Sequence, residues 1–191
     1  MKKYQFAKGI SNDFMYVYSP ICKAFKEFIT EDDCIRNSYN EDIKDWDYIS
    51  IVTKEKYPQG VTIATTCSFD KYGAPLIVFG NDITKDENGR LRYGHHFEVV
   101  AYENGVNIWS IVPWPEREER PIKPTKIAFM EFPVDAGEYI DLEVKIADNK
   151  ITVNMCGKTL EVEDKEIPAE FHVGITACEG VNKFTQLTIQ D

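Results

Sequence analysis

The feature that most constrains this chain is a period of two. Short runs in which apolar and polar residues alternate recur along it, and such alternation gives a strand one apolar and one polar face. Ten runs read this way, at residues 13–18, 48–53, 61–69, 76–79, 93–102, 106–112, 139–147, 150–155, 171–178 and 183–190. Turn residues separate them: Tyr57-Pro58-Gln59-Gly60, Lys71-Tyr72-Gly73, Glu87-Asn88-Gly89, Asn104-Gly105 and Asp148-Asn149. No stretch keeps a helical period over three turns, and only 38–45 reads as a single helical turn. Many short strands punctuated by turns predict a sandwich or a barrel. The 191 residues, 43% hydrophobic and 28% charged, suit one sizeable core, so a single domain over 1–191 is expected.

Two hairpins can be put in register. Asn104-Gly105 is the strongest two-residue turn signal and pairs Glu103 with Val106, Tyr102 with Asn107, and Val100 with Trp109. One face then carries His95, Phe97, Val99, Ala101, Val106, Ile108, Ser110 and Val112, and is expected to be core. The other carries His96, Glu98, Val100, Tyr102, Asn107, Trp109 and Ile111. A face turned to plain water usually shows Lys, Glu and Thr; aromatic, imidazole, carboxylate and amide groups together suit a ligand. The second hairpin turns at Asp148-Asn149. Ile140, Leu142, Val144, Ile146, Ile151, Val153 and Met155 point inward, and Tyr139, Asp141, Glu143, Lys145, Thr152 and Asn154 point outward. If both hairpins share a sheet, these polar residues extend the same groove.

Three stretches carry a resemblance to the concanavalin A-like lectin/glucanase superfamily. They are Tyr93-Gly94-His95-His96-Phe97-Glu98-Val99, the hairpin from Glu138 to Gly157, and Val173-Gly174-Ile175-Thr176-Ala177-Cys178-Glu179-Gly180 with the strand after it. The resemblance implies an all-β, antiparallel jelly-roll sandwich with an aromatic and acidic groove on its concave sheet. It covers strand pattern rather than a catalytic motif, and such domains include lectins, binding modules and glycoside hydrolases. The Glu-x-Asp-x-x-Glu signature of laminarinase-like hydrolases is missing.

Within this frame, Trp109 is the first candidate for a sugar platform, against packing beneath a loop. Tyr102, Asn107, His96 and Asn154 are candidate hydrogen-bonding or stacking partners, and Trp114 reaches the groove if the loop 113–124 walls its end. That loop, Pro-Trp-Pro-Glu-Arg-Glu-Glu-Arg-Pro-Ile-Lys-Pro, is long for a compact domain. Glu98 is the candidate general acid, with Asp141 or Glu143 as the second carboxylate that a glycosidase needs. The alternative is a solvated strand carboxylate. His95 and His96 are adjacent and face opposite ways, so they do not share a metal; with His172 the only other histidine, no zinc site is expected. Residues 81–92 hold Asp82, Asp86, Glu87 and Asn88, oxygen donors of the kind that hold calcium, although the spacing is not that of an EF-hand and a plain hairpin loop is the simpler reading. No nucleophile elbow and no phosphate-cradling glycine loop is present.

Net charge of -10 repels polyphosphate, so neither nucleic acid nor anionic membrane is expected as a partner. The five cysteines, Cys22, Cys34, Cys67, Cys156 and Cys178, are odd in number and widely spaced, and no apolar run follows the basic start, which leads to the expectation of reduced thiols in the cytoplasm. The sequence thus points to carbohydrate binding, with glycoside hydrolysis and a ligand-free interaction sandwich as alternatives.

Overall fold

A computed structural model describes residues 1–22, 25–38, 48–70 and 72–191. The helical turn expected over 38–45 falls, apart from Ser38, outside these residues. Two eight-stranded sheets face each other. The front sheet runs, edge to edge, Ile122–Glu131, Gly105–Pro113, His96–Tyr102, Ala74–Gly80, Glu170–Cys178, Tyr48–Thr53 and Phe14–Tyr16, with Tyr57–Pro58 added on Glu170–Cys178. The back sheet runs Lys158–Glu163, Lys150–Met155, Ile140–Ala147, Val61–Phe69, Asn182–Gln190, Ile35–Arg36 and Ile29–Thr30, with Lys2–Gln5 paired to Asn182–Gln190. Neighbouring strands are antiparallel throughout both sheets. The chain passes between sheets repeatedly, so that Val61–Phe69 lies in the back sheet between two front strands in sequence. Among the described residues, no helix is long and apolar enough to cross a membrane.

The core fills the space between the sheets. Its front half is Ile49, Ile51, Ile77, Phe79, Phe97, Val99, Ile108 and Ile175; its back half is Ile63, Leu142, Val144, Ile151, Val153 and Leu187, all essentially inaccessible to water. Phe79 stacks on Phe97 at 5.0 Å and packs against Phe171 at 5.1 Å. Full burial of each aliphatic side chain contributes roughly 1.5–3 kcal/mol.

Both hairpins keep the expected faces. Val99 and Ile108 are buried toward the core, while Glu98 and Trp109 are direct partners on the opposite face. The register itself differs by two residues: Tyr102 pairs with Gly105 and Val100 with Asn107, so Glu103 and Asn104 form the turn. The cause is the third strand. Gly105 sits at φ +123°, and a Cβ there would lie 2.1 Å from the Met130 carbonyl oxygen. The carbonyls of Asn104 and Glu103 accept hydrogen bonds from the N–H groups of Phe132 and Val134, at 3.2 and 2.9 Å. The glycine is therefore taken up by close backbone approach. At the far end of the same face the core runs out: Val112 is exposed, and His95 is half-buried with Nε2 2.9 Å from Ser110 Oγ.

The alternation did not reveal two long strands, Ile122–Glu131 and Lys158–Glu163. Each lies at the edge of its sheet. An edge tolerates a proline and favours charge, and Pro124, Lys123 and Lys126 hide the first strand from pattern reading.

Candidate functional site

The outer face of the front sheet divides into two zones. Over one lies the hairpin of Ile83–Lys85 and Leu91–Tyr93, which with Val17 buries Val52, Leu76 and Val78 in a second small apolar cluster. Arg92 fastens this cover by donating to the Ser19 and Cys22 carbonyls at 2.9 and 3.3 Å, and Asp86 accepts from both Arg90 and Arg92. The Asp86 carboxylate also accepts the N–H groups of Asn88 and Arg90. Of the oxygen donors noted in this loop, Asp86 thus faces guanidinium groups, and the Asp82 carboxylate accepts the His95 N–H at 3.2 Å. Among the described residues, no group of His, Cys, Asp and Glu is assembled to hold a metal ion.

The second zone is open and forms a cavity of about 260 Å³. Leu76, Val100, Ile111 and Ile122 give it apolar walls, and Glu98, Tyr102, Asn107, Trp109, Arg120 and Glu179 supply its polar and aromatic groups. The volume suits one small ligand unit rather than an enclosed polymer.

Glu98 defines the electrostatics. Its side chain is 7% exposed, and burial alone pushes its carboxyl from 4.5 up to about 8. Its neighbour His96 is fully buried, its ring 4.5 Å from that of Tyr93. His96 Nδ1 lies 2.8 Å from the Gly94 carbonyl oxygen, which only accepts, so Nδ1 carries a hydrogen. Nε2 lies 3.2 Å from Glu98 Oε1. Burial holds His96 down to about 4, so at neutral pH its Nε2 is a lone pair. The proton between the two groups therefore sits on Glu98, and the carboxylic acid donates to the imidazole. The other carboxyl oxygen is left as a neutral acceptor toward the cavity.

Asn107 stands on the neighbouring strand, beside Glu98 and Trp109. It is 9% exposed, and its Oδ1 has no hydrogen-bond partner. A buried amide oxygen without a partner costs about 1–3 kcal/mol relative to a satisfied one. Trp109 presents its ring to the cavity, and the edge-strand residue opposite it, Lys126, holds Nζ 5.1 Å from the ring centre and 5.4 Å from that of Phe129. Phe129 is 56% exposed, so an aromatic surface continues outward from the cavity mouth. Across the cavity, burial pushes the Glu179 carboxyl up while Arg120 pulls it down. Burial also raises the Cys178 thiol, which rules it out as a thiolate nucleophile at neutral pH.

The structure brings Glu98, Tyr102, Asn107 and Trp109 together as the register required. It separates the rest. Asp141, Glu143 and Asn154 lie on the outer face of the back sheet, with the whole core between them and the cavity. Thr66 Oγ1 donates to Asp141 at 2.6 Å, and Asn154 Nδ2 donates to Glu143 at 2.9 Å. The two hairpins do not share a sheet, so neither carboxylate pairs with Glu98 in one site. His96 is beneath the site and not in it; its role is to orient Glu98. The loop 113–124 does wall the cavity, but through Arg120, Ile122 and Pro124. Trp114 is exposed and lies beside Arg117. Sequence reasoning missed Arg120 and Glu179, which are 59 positions apart in the chain. The only local signal was the positive φ of Glu179 (+56°), which a sequence does not display.

No protein-family model matches the sequence, and neither does any curated protein sequence. Solved structures do match in shape. The carbohydrate binding module CBM66 from Bacillus subtilis aligns with a TM-score of 0.63 at 10% identity, over 92% of this chain and 99% of that one. A glycoside hydrolase family 16 endo-glucanase from Bacteroides ovatus aligns at 0.62 and 8% identity, over 99% of both chains. A Bacillus subtilis protein described as having a galectin-like fold aligns at 0.62 and 9% identity, over 93% of this chain and 89% of that one. The fold is a concanavalin A-like jelly roll. Identity this low speaks to the fold alone, so the chemistry has to come from the cavity.

Proposed function

We propose that the cavity on the front sheet binds carbohydrate. One observation carries the reading: the Asn107 side chain, the neutral carboxyl of Glu98 and the ring of Trp109 line a single open cavity. A sugar ring has apolar C–H faces and polar hydroxyl edges. Its burial gains little unless protein groups replace the water on those hydroxyls. Trp109 and Tyr102 offer the apolar contact. Asn107 and Glu98 add polar groups held in place by the sheet. Jelly rolls of this shape include a carbohydrate binding module and an endo-glucanase, which supports the reading.

The test is calorimetric titration with oligosaccharides selected on a glycan array. Trp109→Ala is expected to weaken binding by roughly 1–3 kcal/mol, the scale of a lost aromatic anchor, with the fold retained. Unchanged affinity in that variant would move the site to another surface.

Hydrolysis is favoured by one separate observation, that a second carboxylate, Glu179, lines the same cavity as the protonated Glu98. A general acid needs a proton near neutral pH, and Glu98 holds one. Under this reading Glu98→Gln and Glu179→Gln each bind oligosaccharide but release reducing ends at least about a hundredfold more slowly than the parent. Absence of any reducing-sugar release by the parent would leave binding alone.

A further inference from the structure

The chain carries -10, yet the cation Arg120 lines this cavity, and a second, Lys126, stands beside it against Trp109. Neither forms an ion pair with a carboxylate within 4.0 Å among the described residues. Of the other arginines, Arg36 pairs with Glu31, and Arg90 and Arg92 pair with Asp86, while Arg117 lies beside the Trp114 ring. Lys126 is held by aromatic rings, those of Trp109 and Phe129, at the margin of the cavity. Arg120 is exposed on the loop that walls the other side. Glu118 and Glu119 next to it, like Lys126, stand outside the cavity lining.

Resting on the carbohydrate reading, we propose that this site selects an acidic carbohydrate, whose anionic substituent is bound by Arg120 and Lys126 while its ring lies against Trp109. The chemistry fits at each point. A carboxylate or sulfate oxygen accepts from a guanidinium fork and from an ammonium. The acid on the sheet floor is neutral below about pH 8, so it adds no repulsion. Glu179 is then the single carboxylate against two cations, and it competes with the ligand for Arg120. Two cations at and beside the cavity also attract an anionic ligand locally, whereas the net charge of the whole protein repels it.

The experiment is a titration of the intact protein with three probes of matched length: an oligogalacturonate, its methyl ester, and a sulfated galactan oligosaccharide. A neutral gluco-oligosaccharide series runs beside them. The expected result is that an acidic probe binds at least about tenfold more tightly than the methyl ester, with affinity falling as salt rises. The uronate and sulfate arms identify which anion is read. Arg120→Gln and Lys126→Gln should each reduce the preference severalfold without altering the circular dichroism spectrum. Glu179→Gln should increase affinity for the acidic probe, which a purely structural role would not produce. Equal or tighter binding of the methyl ester or of the neutral series would overturn the acidic preference and leave the carbohydrate reading intact. Failure of every acidic probe also overturns it, and the neutral series then decides the carbohydrate reading on its own.

Discussion

The outer faces of the two sheets come from the same alternating pattern, and both are polar, yet they are chemically opposite. On the back sheet the polar groups satisfy one another. Gln5 donates to Gln186, Gln186 to Thr66, and Thr66 to Asp141, at 3.1, 2.9 and 2.6 Å, a chain that crosses four strands. Thr159 donates to Asn154, and Asn154 to Glu143, in a second chain. Most of these groups also reach water, so each bond is worth little and none creates a deficit. On the front sheet, Glu98, His96 and Asn107 are removed from water, and one acceptor has no partner. The front face therefore carries an energetic deficit, of the kind that the Tyr57 hydroxyl and Asn182 Oδ1 also carry elsewhere in the described residues. A domain of this size has a stability of only about 5–15 kcal/mol, so such a deficit is a sizeable share of it.

The largest expected effect tests that deficit. Glu98 is raised from 4.5 to about 8, so between those values the folded state binds more protons than the unfolded one, and stability falls as pH rises. His96, lowered from 6.5 to about 4, acts in the opposite sense between those two values, because there the folded state binds fewer protons. The two slopes oppose one another up to about pH 6.5, and the Glu98 loss stands alone from there to pH 8. Glu98→Gln removes that loss while its amide N–H still donates to His96. The variant should be more stable than the parent by a margin that grows with pH, reaching roughly 3–5 kcal/mol. Thermal melts at pH 5, 7 and 8.5 would show it, and a margin that does not change with pH would break the comparison.

A smaller effect belongs to Asn107. Asn107→Leu replaces an unpartnered amide with an apolar group of similar size, so stability should rise by about 1–2 kcal/mol while ligand binding is lost. Denaturant titration and calorimetry read the two halves, and a destabilised variant would mean that the amide is satisfied in the folded protein. The smallest effect is on the back sheet. Asp141→Asn and Asn154→Ala should each change stability by no more than about 0.5 kcal/mol and leave ligand affinity unaltered. A large loss of binding in either would return the site to the face from which the structure removes it.

The division between local and long-range information can be read from particular residues. Alternation determines which side of a strand a residue occupies, and that held even where the register moved. A shift of two residues keeps every side chain on its own face, so Glu98 and Trp109 stayed together although Trp109 exchanged its expected partner, Val100, for Glu98. The inward and outward sets of 139–155 were legible for the same reason. What alternation cannot express is which sheet a hairpin joins. Ile140–Ala147 pairs with Val61–Phe69, more than seventy residues earlier, and this places Asp141, Glu143 and Asn154 behind the core. Nor can it express burial of a polar face. His96 and Glu98 read as groove residues; the Tyr93 ring covers His96 and makes it a support, and burial makes Glu98 a protonated acid. The edge strand carrying Lys126, and the approach of Arg120 to Glu179, likewise depend on chain segments that meet only in the folded molecule. The sequence by itself determined sides, because side-chain direction is set by the backbone one residue at a time. The tertiary structure decided neighbours, exposure and charge state, because those depend on what the rest of the chain places against each side.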